Sequence, residues 1–166
     1  VLIIDVGTNA ELILGNKYEL YACSSPTGPA FEGAQISSGQ RAAPGAIEKV
    51  KIDPNTKDPI FKVIGSDYWS DEVEFKNFIK NQPITGICGS GIIEAIAEMR
   101  INGILDKSGL IGSSIETGSK RSITDGRTYS YLLYEDKNNG ENKIKITNAD
   151  VRAIQLAKAA LFAGSR

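Results

Sequence analysis

The sequence predicts an α/β protein: three short strands first, then helices reached through further strands or hairpins. Three observations carry that prediction. The run VLIIDV at residues 1–6 is apolar throughout and is followed by two more strand-like runs across turns of a few residues. At PITGICGSGIIEAIAEMRING, residues 83–103, a short strand, a glycine-rich turn and a helix follow one another directly. Near the end, Thr147 and Asp150 stand at the spacing of a helix capping box ahead of a 3.6-period apolar face. The expected order is β-β-β-α-(hairpin)-β-α-(hairpin)-α, an α/β layer with two insertions.

Each element has its own warrant. An unbroken apolar run such as VLIIDV is expected of a strand buried on both faces. AELILG follows a Gly-Thr-Asn turn, and YELYACS follows Gly-Asn-Lys, so residues 1–25 read as an antiparallel meander with two tight hairpins. Residues 25–46 are rich in Gly, Pro, Ser and Ala, and Pro29 can open a short helix over Ala30 to Ile36. Residues 46–65 read as an added hairpin, AIEKVKI and IFKVIG around DPNTKDP. ITGIC is a short buried strand, and the next helix begins near Ser90, presents Ile92, Ile93, Ile96 and Ala97, and stops at Asn102-Gly103. Residues 106–128 are polar and Gly/Ser-rich, which predicts a mobile excursion. TYSYLLYE and KIKIT form a hairpin around DKNNGEN. The last helix turns Val151, Ile154, Ala157 and Leu161 to one face.

The totals exclude several functions. With 166 residues the chain is one domain or a piece of a larger one, and it is read as a single partial domain over 1–166 with insertions near 46–65 and 106–146. It starts inside a strand-like run without an initiator Met or a leader, which reads as an excised or processed piece. Net charge is −1 from 19 basic and 20 acidic residues, interspersed, so no nucleic-acid surface or polybasic membrane patch is expected. No apolar run reaches the roughly 18 residues of a membrane span. The two cysteines, Cys23 and Cys88, are distant, which argues against a disulfide framework or a self-contained metal site and for a cytosolic default. There is no histidine, so neither a Ser-His-Asp nor a Cys-His nucleophile can be complete.

Two stretches can carry chemistry. In IDVGTN, Asp5 ends a strand, Gly7 allows close backbone approach, and Thr8 and Asn9 add donors; such a turn suits phosphates, with Asp5 holding Mg²⁺ through water. Glu11 is a second oxygen ligand or an exposed strand residue. The alternative is a plain turn in which Asp5 and Asn9 satisfy backbone groups. In GICGSGII, the unpaired amides of Gly89, Ser90 and Gly91 face whatever lies at the helix start. Its alternative is a strand–helix packing turn with Ser90 as N-cap. Cys88, at the end of an apolar strand, reads as a buried structural cysteine. No Walker-type phosphate loop is present, and DKNNGENK fails as a calcium loop because Gly140 comes one place early and the closing Glu is missing.

Taken together, IIDVGTNAELILG, YACSSPTGPAFEGAQISSGQRAAPGAIE, GICGSGIIEAIAEM and ITNADVRAIQLAKAALFAG resemble the C-terminal ATPase domain of the reductive activators of corrinoid-dependent methyltransferases and corrinoid iron–sulfur proteins. That family lies in the acetate and sugar kinase, heat-shock chaperone and actin (ASKHA) superfamily, whose ribonuclease-H-like halves clasp ATP. The resemblance implies one such actin-like ATPase half, with Asp5, Gly7, Thr8 and Asn9 on the second phosphate motif and Gly89, Ser90 and Gly91 near ribose and base. It implies ATP and Mg²⁺ as cofactors, a [2Fe–2S] cluster on a domain outside this sequence, and a corrinoid protein or methyltransferase as partner. The first phosphate motif and the late Gly-Gly adenine turn are absent, so half a nucleotide site and weak or no ATPase activity are expected.

Three further readings stand beside it. Segment 25–46, with Ser37, Ser38 and Arg41, could serve as a docking loop for the corrinoid partner. A small-molecule kinase of the same superfamily would need a carboxylate base beside its substrate, which nothing here marks. A self-sufficient iron–sulfur protein would need cysteines shared between two chains. An exposed apolar patch left by the missing segments would favour a homodimer.

Overall fold

The structure, a computed structural model, describes residues 1–136 and 143–166. The expected meander is present: β1 (Leu2–Val6), β2 (Ala10–Gly15) and β3 (Leu20–Ser25) form an antiparallel sheet in that order. The second turn is tied by Asn16, whose Oδ1 accepts from the amides of Tyr18 and Glu19 at 2.8 and 3.0 Å. Burial of β1 does not follow the prediction. Leu2 and Ile4 are 57% and 49% exposed, because β1 is the edge strand and only β2 sits beside it. An apolar run states what a strand's faces can pack against, and here the described residues leave both faces about half open, with Gly164–Arg166 bordering the face of Leu2 and Ile4.

The helix expected over Ala30–Ile36 is shorter and tighter, a 3₁₀ helix at Pro29–Glu32. Gly33 ends it at φ 77°, a left-handed conformation that glycine adopts without strain. The hairpin at 46–65 forms as predicted from β4 (Ala46–Ile52) and β5 (Pro59–Val63). It is no appendage, however: β4 is the central strand of the second sheet, with β5 on one side and β6 (Gly86–Ile87) parallel on the other.

Helix α1 (Val73–Asn81) has no counterpart in the prediction, although Phe75, Phe78 and Ile79 carry its i, i+3, i+4 signal. Phe75 is buried and meets Phe61 edge-on at 5.8 Å between ring centroids, and Phe61 in turn meets Tyr134 at 6.1 Å. Helix α2 (Gly89–Ile101) ends at Asn102 and Gly103 as expected. Its buried face is Gly91, Ile92, Ala95 and Met99, rotated from the predicted one, so Ile93 is exposed. Because β6 pairs only with Ala46 and Ile47, the rest of that edge of β4 lacks a strand. Two carboxylates of α2 take its place: Glu94 accepts from the Val50 amide and Glu98 from the Ile52 amide, both at 2.9 Å.

Residues 106–128, predicted as a mobile excursion, instead fold into defined elements. Asp106 Oδ1 accepts from the amides of Ser108 and Leu110, and Ser113 and Glu116 close a capping box on α3 (Ser114–Thr117). The strand β7 (Ser122–Asp125) then pairs with β8 (Thr128–Glu135), which pairs with β9 (Lys143–Ile146). Short polar residues misled the composition argument, since Thr117, Ser119 and Ser122 are buried and bonded to one another or to backbone. The turn expected between β8 and β9 falls at residues 137–142, outside the described residues. The final helix, α4 (Asn148–Gly164), has the predicted capping box, with Val151, Ile154 and Ala157 buried and Leu161 partly so.

One apolar core joins the second and third sheets to α2 and α4 through Ile47, Ile87, Ile92, Met99, Tyr131, Ile146 and Val151. Each such aliphatic side chain contributes about 1.5–3 kcal/mol by leaving water. The first sheet attaches at its other end, where Cys23 Sγ donates to the Gly164 carbonyl at the end of α4.

Candidate functional site

The two glycine turns singled out in the sequence both come against the 3₁₀ helix. The first lies between β1 and β2. Gly7 donates its amide to the Asn9 carbonyl at 2.8 Å, and the buried Thr27 hydroxyl bonds the Gly7 and Thr8 carbonyls at 2.9 and 3.0 Å. This pulls the carbonyls inward and leaves the side chains of Thr8 and Asn9 exposed. Among the described residues neither the Asp5 carboxylate nor the Asn9 side-chain amide bonds to a backbone group; the turn's backbone is satisfied instead by Thr27 and by the bond from Gly7 to Asn9. Asp5 stands opposite Glu11 in the β1–β2 register, and Glu11 accepts from Ser24 Oγ at 2.9 Å. Two carboxylates opposed across a strand pair repel, which a cation between them would relieve.

The second turn opens α2. A side-chain carbon on Gly89 would overlap the Phe31 carbonyl, so only glycine lets the helix start approach the 3₁₀ helix this closely. The N-cap is Cys88 rather than Ser90, and no side chain caps the helix. The first amides of α2 therefore remain available to an anion. Cys88 is buried, with its Sγ donating to the Ile47 carbonyl at 3.3 Å, the structural role expected of it. Ser90 Oγ lies 3.2 Å from that sulfur.

Glu32, which the sequence reading passed over, connects the two turns. Thr8 Oγ1 donates to both of its carboxylate oxygens at 3.2 Å. Glu32 also lines an open cavity of about 460 Å³ together with Phe31, Arg41, Gly89 and Ser90. A signal for it was available, because Glu32 is the only carboxylate between residues 25 and 46. Arg41, set with the docking serines in the sequence reading, lies on this cavity instead. Ser37 and Ser38 point elsewhere: Ser37 donates its amide and hydroxyl to Asp150, and Ser38 Oγ bonds the backbone of Lys145. Their hydroxyls hold the loop to β9 and α4.

The arrangement suits a nucleotide polyphosphate better than a metal alone. The uncapped amides of α2 are phosphate donors and the glycines allow close approach, while no group of three or more His, Cys, Asp or Glu among the described residues could hold a metal ion. Mg²⁺ would then bind by one or two carboxylates plus phosphate oxygens, its usual habit. An iron–sulfur cluster does not fit, since Cys23 and Cys88 stand apart, one exposed and one buried.

This mixed α/β chain, a strand meander with a glycine turn at its head beside a second glycine turn that opens a helix, has an actin-like ATPase fold. The chain matches the model of the C-terminal domain of RACo, the ASKHA domain, over residues 1–166, and it belongs to that family. It is 37% identical over 169 residues to the corrinoid activation enzyme RamQ of Eubacterium limosum, covering 98% of this chain and 26% of that one. It is 36% identical over 117 residues to the [Co(II) methylated amine-specific corrinoid protein] reductase of Methanosarcina barkeri, covering 64% and 21%. Among solved structures it resembles a reductive activator for corrinoid, iron-sulfur protein, with a TM-score of 0.81 and 37% identity over 99% of this chain and 24% of that one. The chain thus spans about a quarter of the length of these relatives.

Proposed function

We propose that this chain is part of an ATP-dependent reductive activator that restores Co(I) in corrinoid proteins, and that it contributes one half of the nucleotide site. The observation that supports this is the meeting of the two glycine turns, from positions 7 and 89, at the 3₁₀ helix. In this reading Asp5, Gly7, Thr8, Asn9 and Glu11 take the phosphate and Mg²⁺ end. Gly89, Ser90 and Gly91 take the ribose end. Bound ATP supplies hydrolytic free energy that shifts the activator's affinity for its partner. The [2Fe–2S] cluster belongs to another part of the longer protein, and the partner is a corrinoid protein or corrinoid-dependent methyltransferase in the cytoplasm. The printed activities of the relatives support that partner class. Self-association through the exposed β1 face belongs to the same reading.

A docking role is the second reading, and Arg41 favours it as an exposed cation on an open cavity. Ser37 and Ser38 support it less, since their hydroxyls already bond within the chain.

Calorimetry with Mg·ATP and Mg·ADP on this chain and on Asp5→Ala tests the nucleotide reading. Binding that vanishes in the variant supports it. Absence of heat up to millimolar nucleotide would shift the chain's own contribution to docking.

A further inference from the structure

We propose that Glu32 makes this site select a metal-chelated phosphate over a bare anion. The inference rests on the nucleotide reading above and deepens it. Both Glu32 oxygens lie 3.2 Å from Thr8 Oγ1, and a side-chain carbon on Gly7 would sit 3.0 Å from Glu32 Oε1. The carboxylate therefore lies against the Gly7 backbone and holds the proton of the Thr8 hydroxyl. The Thr8 hydroxyl is a group a phosphate would use, and it has one proton to donate. An incoming anion must take that proton from Glu32 and then remain beside a negative charge that the protein keeps there.

The surroundings do not cancel that charge. Asp5 and Glu11 face each other on the adjoining strand pair, and Arg41 is the one cation among the residues lining the cavity. Like charges a few ångströms apart at a protein surface repel appreciably, whereas a divalent cation riding on the phosphate offsets the repulsion. Glu32 thus penalises free phosphate or metal-free nucleotide and spares the chelated form. Its place in the 3₁₀ helix, with Phe31 packed against Gly89, prevents the backbone from carrying it away without moving α2.

The test is a titration of the full chain with ADP, once with Mg²⁺ and once with EDTA, read by amide NMR shifts at Gly7, Thr8 and Gly89. Wild type, Glu32→Gln and Glu32→Asp are compared; the side chain is exposed, so the isosteric change leaves the fold intact. Glu32→Gln is expected to bind metal-free ADP about tenfold more tightly, a unit-charge effect of ordinary size at a surface, with Mg·ADP nearly unchanged. Glu32→Asp keeps the wild-type preference. An unchanged ratio in Glu32→Gln overturns the proposal. So does a ratio that narrows only because Mg·ADP binds more weakly, which would make Glu32 a cation ligand. Shifts in none of the three proteins would instead remove the nucleotide reading, and this inference with it.

Discussion

Ser37 gives both its amide and its hydroxyl to one oxygen of Asp150, at 2.7 and 3.0 Å, across 113 positions of sequence. The other oxygen of Asp150 accepts the amide and hydroxyl of Thr147, each at 2.8 Å. A carboxylate only 1% exposed thus has four donors and closes the helix cap and a long-range loop at once. Asp150→Ala strands all four and should cost about 3–5 kcal/mol. Asp150→Asn should cost less but still destabilise, because its nitrogen cannot accept. Urea unfolding of both variants checks the ranking; equal stability of Ala and wild type would reject it.

Gly89→Ala is expected to be disproportionately costly for a change of one methyl. The new carbon meets the Phe31 carbonyl, so α2 must retreat from the 3₁₀ helix or the strand before it must bend. Overpacking of this kind costs about 1–3 kcal/mol. Gly103→Ala supplies a control at the other end of the helix, where no atom lies within 4 Å and only the φ of 73° is unfavourable. Thermal melts should place Gly89→Ala below Gly103→Ala.

Lys57 sits at φ 60°, outside the range most side chains prefer, yet its carbonyl accepts from Tyr131 Oη at 2.7 Å and from Ser119 Oγ at 3.3 Å. Those bonds clamp the β4–β5 turn to the third sheet. Lys57→Gly keeps them and should change stability by under about 1 kcal/mol, as relieved strain offsets added chain entropy. Lys57→Val, β-branched, should cost more, about 1–2 kcal/mol. A denaturation series in which the valine variant is the more stable would contradict this account.

Stability should fall at both ends of the pH scale. Asp53, Asp106, Glu116 and Asp125 have carboxyl pKa values lowered, the first three mainly by backbone amides and Asp125 mainly by Lys145. Groups with depressed folded values stabilise above their unfolded values near 4 and lose that contribution as pH falls through the folded ones. Burial pushes the Tyr131 hydroxyl well above its ordinary value. It stays neutral in the fold while the unfolded chain ionises, so stability should drop by about 1.4 kcal/mol per pH unit above roughly pH 10. Tyr131→Phe should flatten that alkaline limb in pH-dependent melts, and an unchanged slope would exclude Tyr131 as its source.

Hydrophobic length alone would rank Ile4 with Ile47, but the fold separates them. Ile47 is fully buried between β6 and α2, whereas Ile4 is half exposed on an edge strand. Ile47→Thr should cost about 2–4 kcal/mol and Ile4→Thr under about 1 kcal/mol, by equilibrium unfolding.

The pattern of what could be read in advance follows from where the determinants lie. The capping box at Thr147–Asp150, the first hairpins and the Asn102-Gly103 stop are set by neighbours in sequence, and each stands where expected. The burial of β1, the central place of β4 and the face of α2 depend on which elements pack together, which no local pattern states. Helix α1 was legible in Phe75, Phe78 and Ile79 but lay hidden behind a polar start. At the candidate site, both glycine turns were visible as strings. Glu32 showed only as the one carboxylate between residues 25 and 46, because its contact is with Thr8, 24 positions away.

The pairing of Glu94 with Val50 and of Glu98 with Ile52 has a consequence for measurement. Those two strand amides are shielded from solvent deuterium by a helix, not by a neighbouring strand. Their exchange should therefore follow the lifting of α2, while the amides of β4 that face β5 follow opening of the sheet. Because α2 begins at Gly89, slow exchange at Val50 and Ile52 would act as a clock for how firmly the far end of that helix is seated. Any occupant that grips the helix start should slow that clock while leaving the β5-facing amides unchanged.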